Sequence, residues 1–313
     1  MPKLTERTML LVKAEDTYGI EVTPDAETDF IAVYDVDVSP NITFNDPQAM
    51  DASLSPREGR AGKKYVDVSF SWEIQLTAGQ DKTEPIAPFA ALLGACGFAE
   101  TGSGVWTPVS TGMGSCTIYV NYDGHLWKIP GCRGNVEFDF TAGEFAVATF
   151  TMQGLYQAPT DADMPTAWAD LGVAPMKCMG GILVAMNQDP IPVVNSLTVN
   201  MNWDVAALSS ITASHAVSEI VLADRNPEGR FDPEVTSMAD HDWYSLLEAP
   251  VLGEISYQIA NADASFRLKV PKAQLMEIGY GDRDGIRTYD IPFRCVRNLG
   301  DDEVKLEFAA SGE

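Results

Sequence analysis

CTIYVNYDGHLWKIPGCRGNVEFDFTAGEFAVATFTMQ, residues Cys116 to Gln153, and ISYQIANADASFRLKVPKAQLMEIGYGDRDGIRTYDIPFR, residues Ile255 to Arg294, follow one plan. Each reads as a strand, a polar turn, a strand carrying Ile-Pro or Val-Pro, a further strand, a Gly-containing acidic turn and a last strand. Apolar side chains alternate along these stretches, as they do in a strand with one face on a core and the other in water. Gly stands in Tyr122-Asp123-Gly124, Thr141-Ala142-Gly143 and Asp282-Arg283-Asp284-Gly285, where hairpins need it. Two versions of one β unit in a single chain point to a part built by repetition.

Outward from these blocks the pattern extends in both directions. Strand alternation recurs in Phe30 to Val38, Tyr65 to Leu76, Ser196 to Val205 and Ala216 to Leu222. Two internal segments read as helix, Ala87 to Ala95 and Trp243 to Glu248, and each stands just before its four-strand block. A longer alignment pairs Val36–Asn45 with Leu197–Asp204, and Lys64–Leu76 with Ala216–Leu222. The expected organisation is a polar arm at 1–29, a first domain at 30–158, a Pro- and Asp-rich linker at 159–182 and a second domain at 183–313. Within the first domain, the stretch 45–64 reads as a long irregular loop with no partner of equal length. Such loops inside compact domains are usually functional or disordered.

The chain has 313 residues, enough for two ordinary domains each with its own core, and carries 21 basic against 45 acidic residues, a formal charge of −24. Both halves share the excess, with ten basic against twenty-one acidic residues up to residue 160 and eleven against twenty-four beyond it. That balance argues against a nucleic-acid binder, which needs clustered Lys and Arg to release counterions from phosphates. It suits solubility, or a surface past which a polyanion moves without sticking. Five scattered cysteines, Cys96, Cys116, Cys132, Cys178 and Cys295, read as buried free thiols. No apolar run approaches the ~20 residues of a membrane span, and the opening lacks the plan of a signal peptide, so assembly in a cytoplasm is expected.

Chemistry is poorly supplied. The three histidines, His125, His215 and His241, have no triad or metal-type spacing around them. Asp242 reads as the N-cap of the second helix rather than a ligand. Asp224 to Gly229 resembles the front of a calcium loop, but Val235 stands where the closing Glu belongs, so it reads as a turn. Trp72, Trp106, Trp127 and Trp203 are spaced as strand residues and are expected in core or interface packing more than in a sugar platform. No catalytic, cofactor-binding or metal-binding residue is assigned, and no cofactor is expected.

The block KIPGCRGNVEFDFTAGEFAVATFTMQGLY, Lys128 to Tyr156, resembles the closing hairpin of the major tail tube proteins of long-tailed, non-contractile bacteriophages, and the chain is similar to a tandem-duplicated form of that family. The resemblance is strongest over residues 30–158 and weaker over 180–310, where Gly134 and Gly154 lack clear counterparts. It implies a mainly β fold of two tandem tail-tube-type β-sandwich domains, each with one short flanking helix, contributing strands to a ring-shaped inner β-barrel. Single-domain relatives form hexameric rings, so the duplicated chain is expected as a homotrimer, a pseudo-hexameric ring that stacks into a tube for DNA ejection. Its expected partners are itself and other tail proteins such as terminator, tape measure and distal tail protein. DNA would pass through the lumen without specific binding, and no membrane is involved. The expected place is the virion tail, with assembly in the host cytoplasm. Asp46, Asp51, Arg57, Arg60, Lys63 and Lys64 are the candidate contacts between stacked rings. The alternative reading is a tandem β-sandwich binding module, a baseplate or fibre protein recognising carbohydrate or a receptor.

Overall fold

A computed structural model describes residues 7–48, 50, 55–76, 85–168, 174–186, 188, 192–249, 251–261 and 264–310. The chain is mainly β, and its strands pair antiparallel throughout. The first half contains β1 (Thr8–Ala14), β2 (Phe30–Ile31), β3 (Tyr34–Asn45), β4 (Arg60–Glu73), α1 (Ala87–Ala95), β5 (Phe98–Gly102), β6 (Val105–Pro108), β7 (Cys116–Tyr122), β8 (His125–Thr141), β9 (Val147–Leu155) and β10 (Thr160–Asp161). The second half contains β11 (Ile182–Ala185), β12 (Val194–Asn200), β13 (Trp203–Ser209), β14 (Val217–Arg225), β15 (Glu228–Pro233), α2 (Trp243–Glu248), β16 (Gly253–Ala260), β17 (Ala264–Leu275), β18 (Gly279–Arg283), β19 (Ile286–Cys295) and β20 (Lys305–Ala310).

Local sequence accounts for the elements. In β4, Val66, Val68, Phe70 and Trp72 are buried while Asp67, Ser69, Ser71 and Glu73 alternate with them on the other face, the two-residue period of a half-buried strand. The β7–β8 and β18–β19 hairpins turn at Asp123-Gly124 and Asp284-Gly285. All four of these residues have positive φ, as the tight hairpin turn requires and as Asp-Gly supplies. Helix α1 carries Pro at its start, where the missing N–H costs nothing. It is apolar nearly all round because strands surround it: Phe89 lies 4.6 Å from Trp72 and 6.0 Å from Phe308 by ring centroids. Helix α2 is capped by Asp242, whose carboxylate accepts the Ser245 N–H at 3.0 Å.

Strand pairing reveals the repeat directly. The first half is ordered β1-β7-β8-β9-β4-β3 and the second β11-β16-β17-β19-β15-β12. One row of directly opposed residues crosses four strands as Val38–Val68–Met152–Gly134. Its counterpart in the second half is Val199–Gly229–Phe293–Leu275. Each helix lies between equivalent strands, β4 and β7 or β15 and β16. Short β10 and longer β20 also correspond, since each follows the last ladder strand and pairs with the start of β8 or β17. Strand β8 serves two sheets: its first part pairs with β7 and its last part with β9. In the second repeat that long strand is broken into β17 and β18, both paired to β19.

Four expectations need correction. Residues 8–14, expected in a polar arm, form β1 with Leu10 and Val12 buried and seven residues paired to β7. The stretch 45–64 is not a loop at its ends, because β3 runs to Asn45 and β4 begins at Arg60. The expected linker is packed at its end, where Met176 and Cys178 are buried and Phe145 bridges to Lys177. Finally, β4 corresponds to β15 rather than to Ala216–Leu222. The β13–β14 hairpin is an insertion between β12 and β15, occupying the place that 46–59 holds in the first repeat. Among the described residues, buried side chains of both repeats join in one cluster that runs from Leu10 in β1 to Phe308 in β20, beside a small second cluster of Met9, Leu11 and Tyr119.

Candidate assembly interface

Where the two repeats meet, β12 pairs antiparallel with the last part of β8, Leu197 opposite Phe140 and Val199 opposite Phe138. All four side chains are buried. On the opposite face Asn200 donates to Glu137 at 2.9 Å and accepts from Asn135 at 2.7 Å. The junction joins both ladders into one eight-strand run, β3-β4-β9-β8-β12-β15-β19-β18. Among the described residues β3 pairs only with β4, and β18 only with β19. Each end of the run is therefore an unpaired strand edge, the feature that natural sheets cover or pair.

The inserted hairpin strengthens the same junction by lying across strand ends of the first repeat. Arg133 holds it through Glu219 at 2.8 Å and the Ile220 carbonyl at 2.9 Å. The Ile220 N–H donates to the Tyr18 hydroxyl at 2.6 Å, and that hydroxyl donates to the Gly131 carbonyl at 3.1 Å. Burial, opposed by the Ile220 and Arg133 contacts, pushes the Tyr18 pKa up to about 12. Arg225, mostly buried, forms a second tie. It pairs with Glu303 and with Asp301 at 2.6 Å, donates to the Val109 carbonyl at 2.9 Å, and stacks over Trp203.

The face of the run turned away from the core is polar and unevenly charged. In the first repeat it carries Asp35, Asp37, Asp67, Glu73, Glu137 and Asp139, alternating with buried residues on their strands or, on β3, with half-buried valines. No Lys or Arg pairs with any of these six among the described residues. Arg133 on the same face is engaged with the hairpin. The second repeat is balanced: Arg230 pairs with Asp290, Arg283 with Asp232 and Glu234, and Arg294 with Glu228. Burial raises the Asp67 carboxyl above its ordinary range, against hydrogen bonds from Asn41 and Gln153 that lower it.

The residues singled out from sequence are placed as follows. Asp46 and Arg57 are exposed on the β3–β4 connection, and Arg60 opens β4 opposite Asn45. Asp51 lies outside the described residues. Lys63 and Lys64 face the chain's own second repeat: the Lys63 ammonium donates to the Ala207 carbonyl at 2.8 Å, and the Lys64 N–H donates to the His215 carbonyl at 3.0 Å. The structure thus separates the charged tip from these two lysines at its base. Sequence reasoning missed the β18 edge and the acidic face. The alignment of Val36 with Leu197 held the signal, because it makes β3 the counterpart of a strand already paired.

Trp72 and Trp203 are buried and Trp106 and Trp127 half-buried against the core, so these four build no sugar platform. His241 is buried, hydrogen-bonded to Thr236 at 2.8 Å and stacked on Trp243. All five cysteines are buried free thiols. Among the described residues no group of three or more His, Cys, Asp or Glu is placed to hold a metal ion, and no helix is long and apolar enough to cross a membrane.

Compared with known proteins, residues 5–295 match a family model described as phage tail tube protein. No curated protein matches the chain.

Proposed function

The chain belongs to the phage tail tube protein family, a structural component of the virion tail, and from that premise we propose that three subunits close into a ring whose stacked copies form the conduit for DNA ejection. The observation that carries this is the eight-strand run with one free edge at each end. Three such arcs supply twenty-four strands. With strands about 4.8 Å apart and tilted about 40°, they close a barrel about 50 Å across between backbones. Closure pairs both ends of each run, and head-to-tail contacts between identical subunits give a ring when three rotations complete a turn.

In this reading the polar face of the run lines the bore and the core face carries the helices outside. The acids of the first repeat then recur three times around the lumen, alternating with the ion-paired faces of the second. A negative wall withholds the cation contacts that would retain a phosphate backbone, at ranges within about 8 Å at physiological salt. The domain scheme is kept as a proposal with the first unit extended to include β1. Asp46, Asp51 and Arg57 between β3 and β4, with Arg60 at the start of β4, are proposed to reach the next ring. The second repeat's counterpart of that connection lies back on the first repeat, so stacking contacts of this kind recur threefold rather than sixfold. Terminator, tape measure and distal tail proteins are the proposed partners at the ends and inside, in a non-contractile tail.

Negative-stain electron microscopy of the purified protein at rising concentration tests the reading. Threefold rings or hollow filaments are expected; a protein that stays monomeric at every concentration and binds glycans instead would sink it.

A further inference from the structure

The junction inside the chain has a counterpart among strands that are left unpaired. Strand β12 is the second repeat's version of β3, displaced by 161 residues: Val199 opposite Gly229 repeats Val38 opposite Val68. The last part of β8 has its counterpart in β18. Phe138 lies opposite Ala148, Tyr280 opposite Tyr289, and Tyr289 is Ala148 displaced by the same 141 residues that carry Met152 to Phe293. Since β12 pairs with β8 inside the chain, the equivalent unpaired strands are β3 and β18.

We propose that β3 of one subunit pairs antiparallel with β18 of the next, with Val38 opposite Tyr280 and Asp37 opposite Gly281. This deepens the ring reading and rests on it. The register is copied from Val199 opposite Phe138 and Thr198 opposite Asp139. Independent features agree with it. Tyr280 is 54% exposed although its counterpart Phe138 is fully buried, as expected of a core-face residue lacking its neighbour. Val38 is half-buried where its counterpart Val199 is fully buried. The same register sets Asp35 opposite Arg283, a favourable cross-strand charge pair. Each subunit has one edge of each kind, so the contact propagates in one sense, and a rotation of one third of a turn per subunit closes it into the ring.

The test is cross-linking in the full-length chain. Val38→Cys with Tyr280→Cys in one chain is expected to give interchain disulfides under mild oxidation, resolving on a non-reducing gel as dimer and a limiting trimer. Directly opposed residues bring Cβ atoms near the disulfide range. The native thiols are all buried, which keeps the background low. Asp37→Cys with Gly281→Cys is a second in-register pair on the polar face, in case the first disturbs folding. Val38→Cys with Asp282→Cys, two residues out of register on the same face, is expected to cross-link roughly ten-fold less. Rings by microscopy with no cross-link, or with equal cross-linking in and out of register, overturn this register while leaving the ring reading intact. A persistent monomer overturns both.

Discussion

Gly154 and Tyr18 are two single residues on which the subunit's stability turns. A Cβ on Gly154 would collide with Ile129 and with the Cys132 sulfur where β8 passes from one sheet to the other. Gly154→Ala is expected to destabilise the subunit by about 1–3 kcal/mol, the usual range for forcing a methyl into a packed core, read as a lower urea midpoint. Tyr18 ties the start of the chain to the inserted hairpin, and burial raises its pKa to about 12. A tyrosine raised above its free value of about 10 supports the fold fully below pH 10 and loses that support as pH climbs through about 12. Thermal melts are therefore expected to fall between pH 10 and 12, less steeply in Tyr18→Phe, whose baseline stability is lower by about 1–3 kcal/mol for the unpaired Ile220 N–H and Gly131 carbonyl. Asp242 as a cap was legible because a cap is a local contact. The part played by Tyr18 was not, since its partner lies 202 residues away.

At the scale of elements, local pattern and long-range packing divide the outcome. Both helices fall where their apolar spacing and Asp or Pro signals set them, and the hairpins turn at their Asp-Gly pairs. Strand β1 was hidden because its flanks are polar and its pairing partner β7 is about a hundred residues later. The β13–β14 hairpin was visible as strands but assigned to the wrong place, since alternation says that a strand exists and nothing about its neighbour. Arg225 fastens the end of that hairpin to the segment before β20 and to the loop before β7. Arg225→Ala leaves the buried Glu303 without its cation and is expected to cost about 3–5 kcal/mol. Arg225→Lys should recover only part of this, because a lysine cannot reproduce the forked contacts. Equal melting temperatures for wild type and Arg225→Ala would remove the tie from the account.

For the whole molecule, the two proposals to be separated are stacking and passage. Deleting Asp46 to Arg60 is expected to leave subunits that still form rings and fail to grow into tubes, because β3 and β18 remain while the connection is lost; unaltered polymerisation would exclude that connection from stacking. Glu137→Lys with Asp139→Lys places cations on the face assigned to the bore. Assembled tubes of this variant are expected to retain duplex DNA at low salt and release it as salt rises, whereas wild-type tubes retain none. If both behave alike in a sedimentation assay, the acidic face lies elsewhere than the lumen.

The sequence by itself determined that this chain is β-rich, duplicated and acidic in both halves, because periodicity, turn residues and composition are local properties. The tertiary structure decided which strands are neighbours, that buried side chains of both repeats join in one cluster and their strands in one continuous eight-strand run, and which edges of that run stay unpaired among the described residues. Those outcomes depend on backbone pairing between residues far apart in sequence. The acid excess could be counted from the sequence, but its concentration on one face of the first repeat emerged only when β3, β4 and β8 were set into one sheet with their even-spaced carboxylates on the same side.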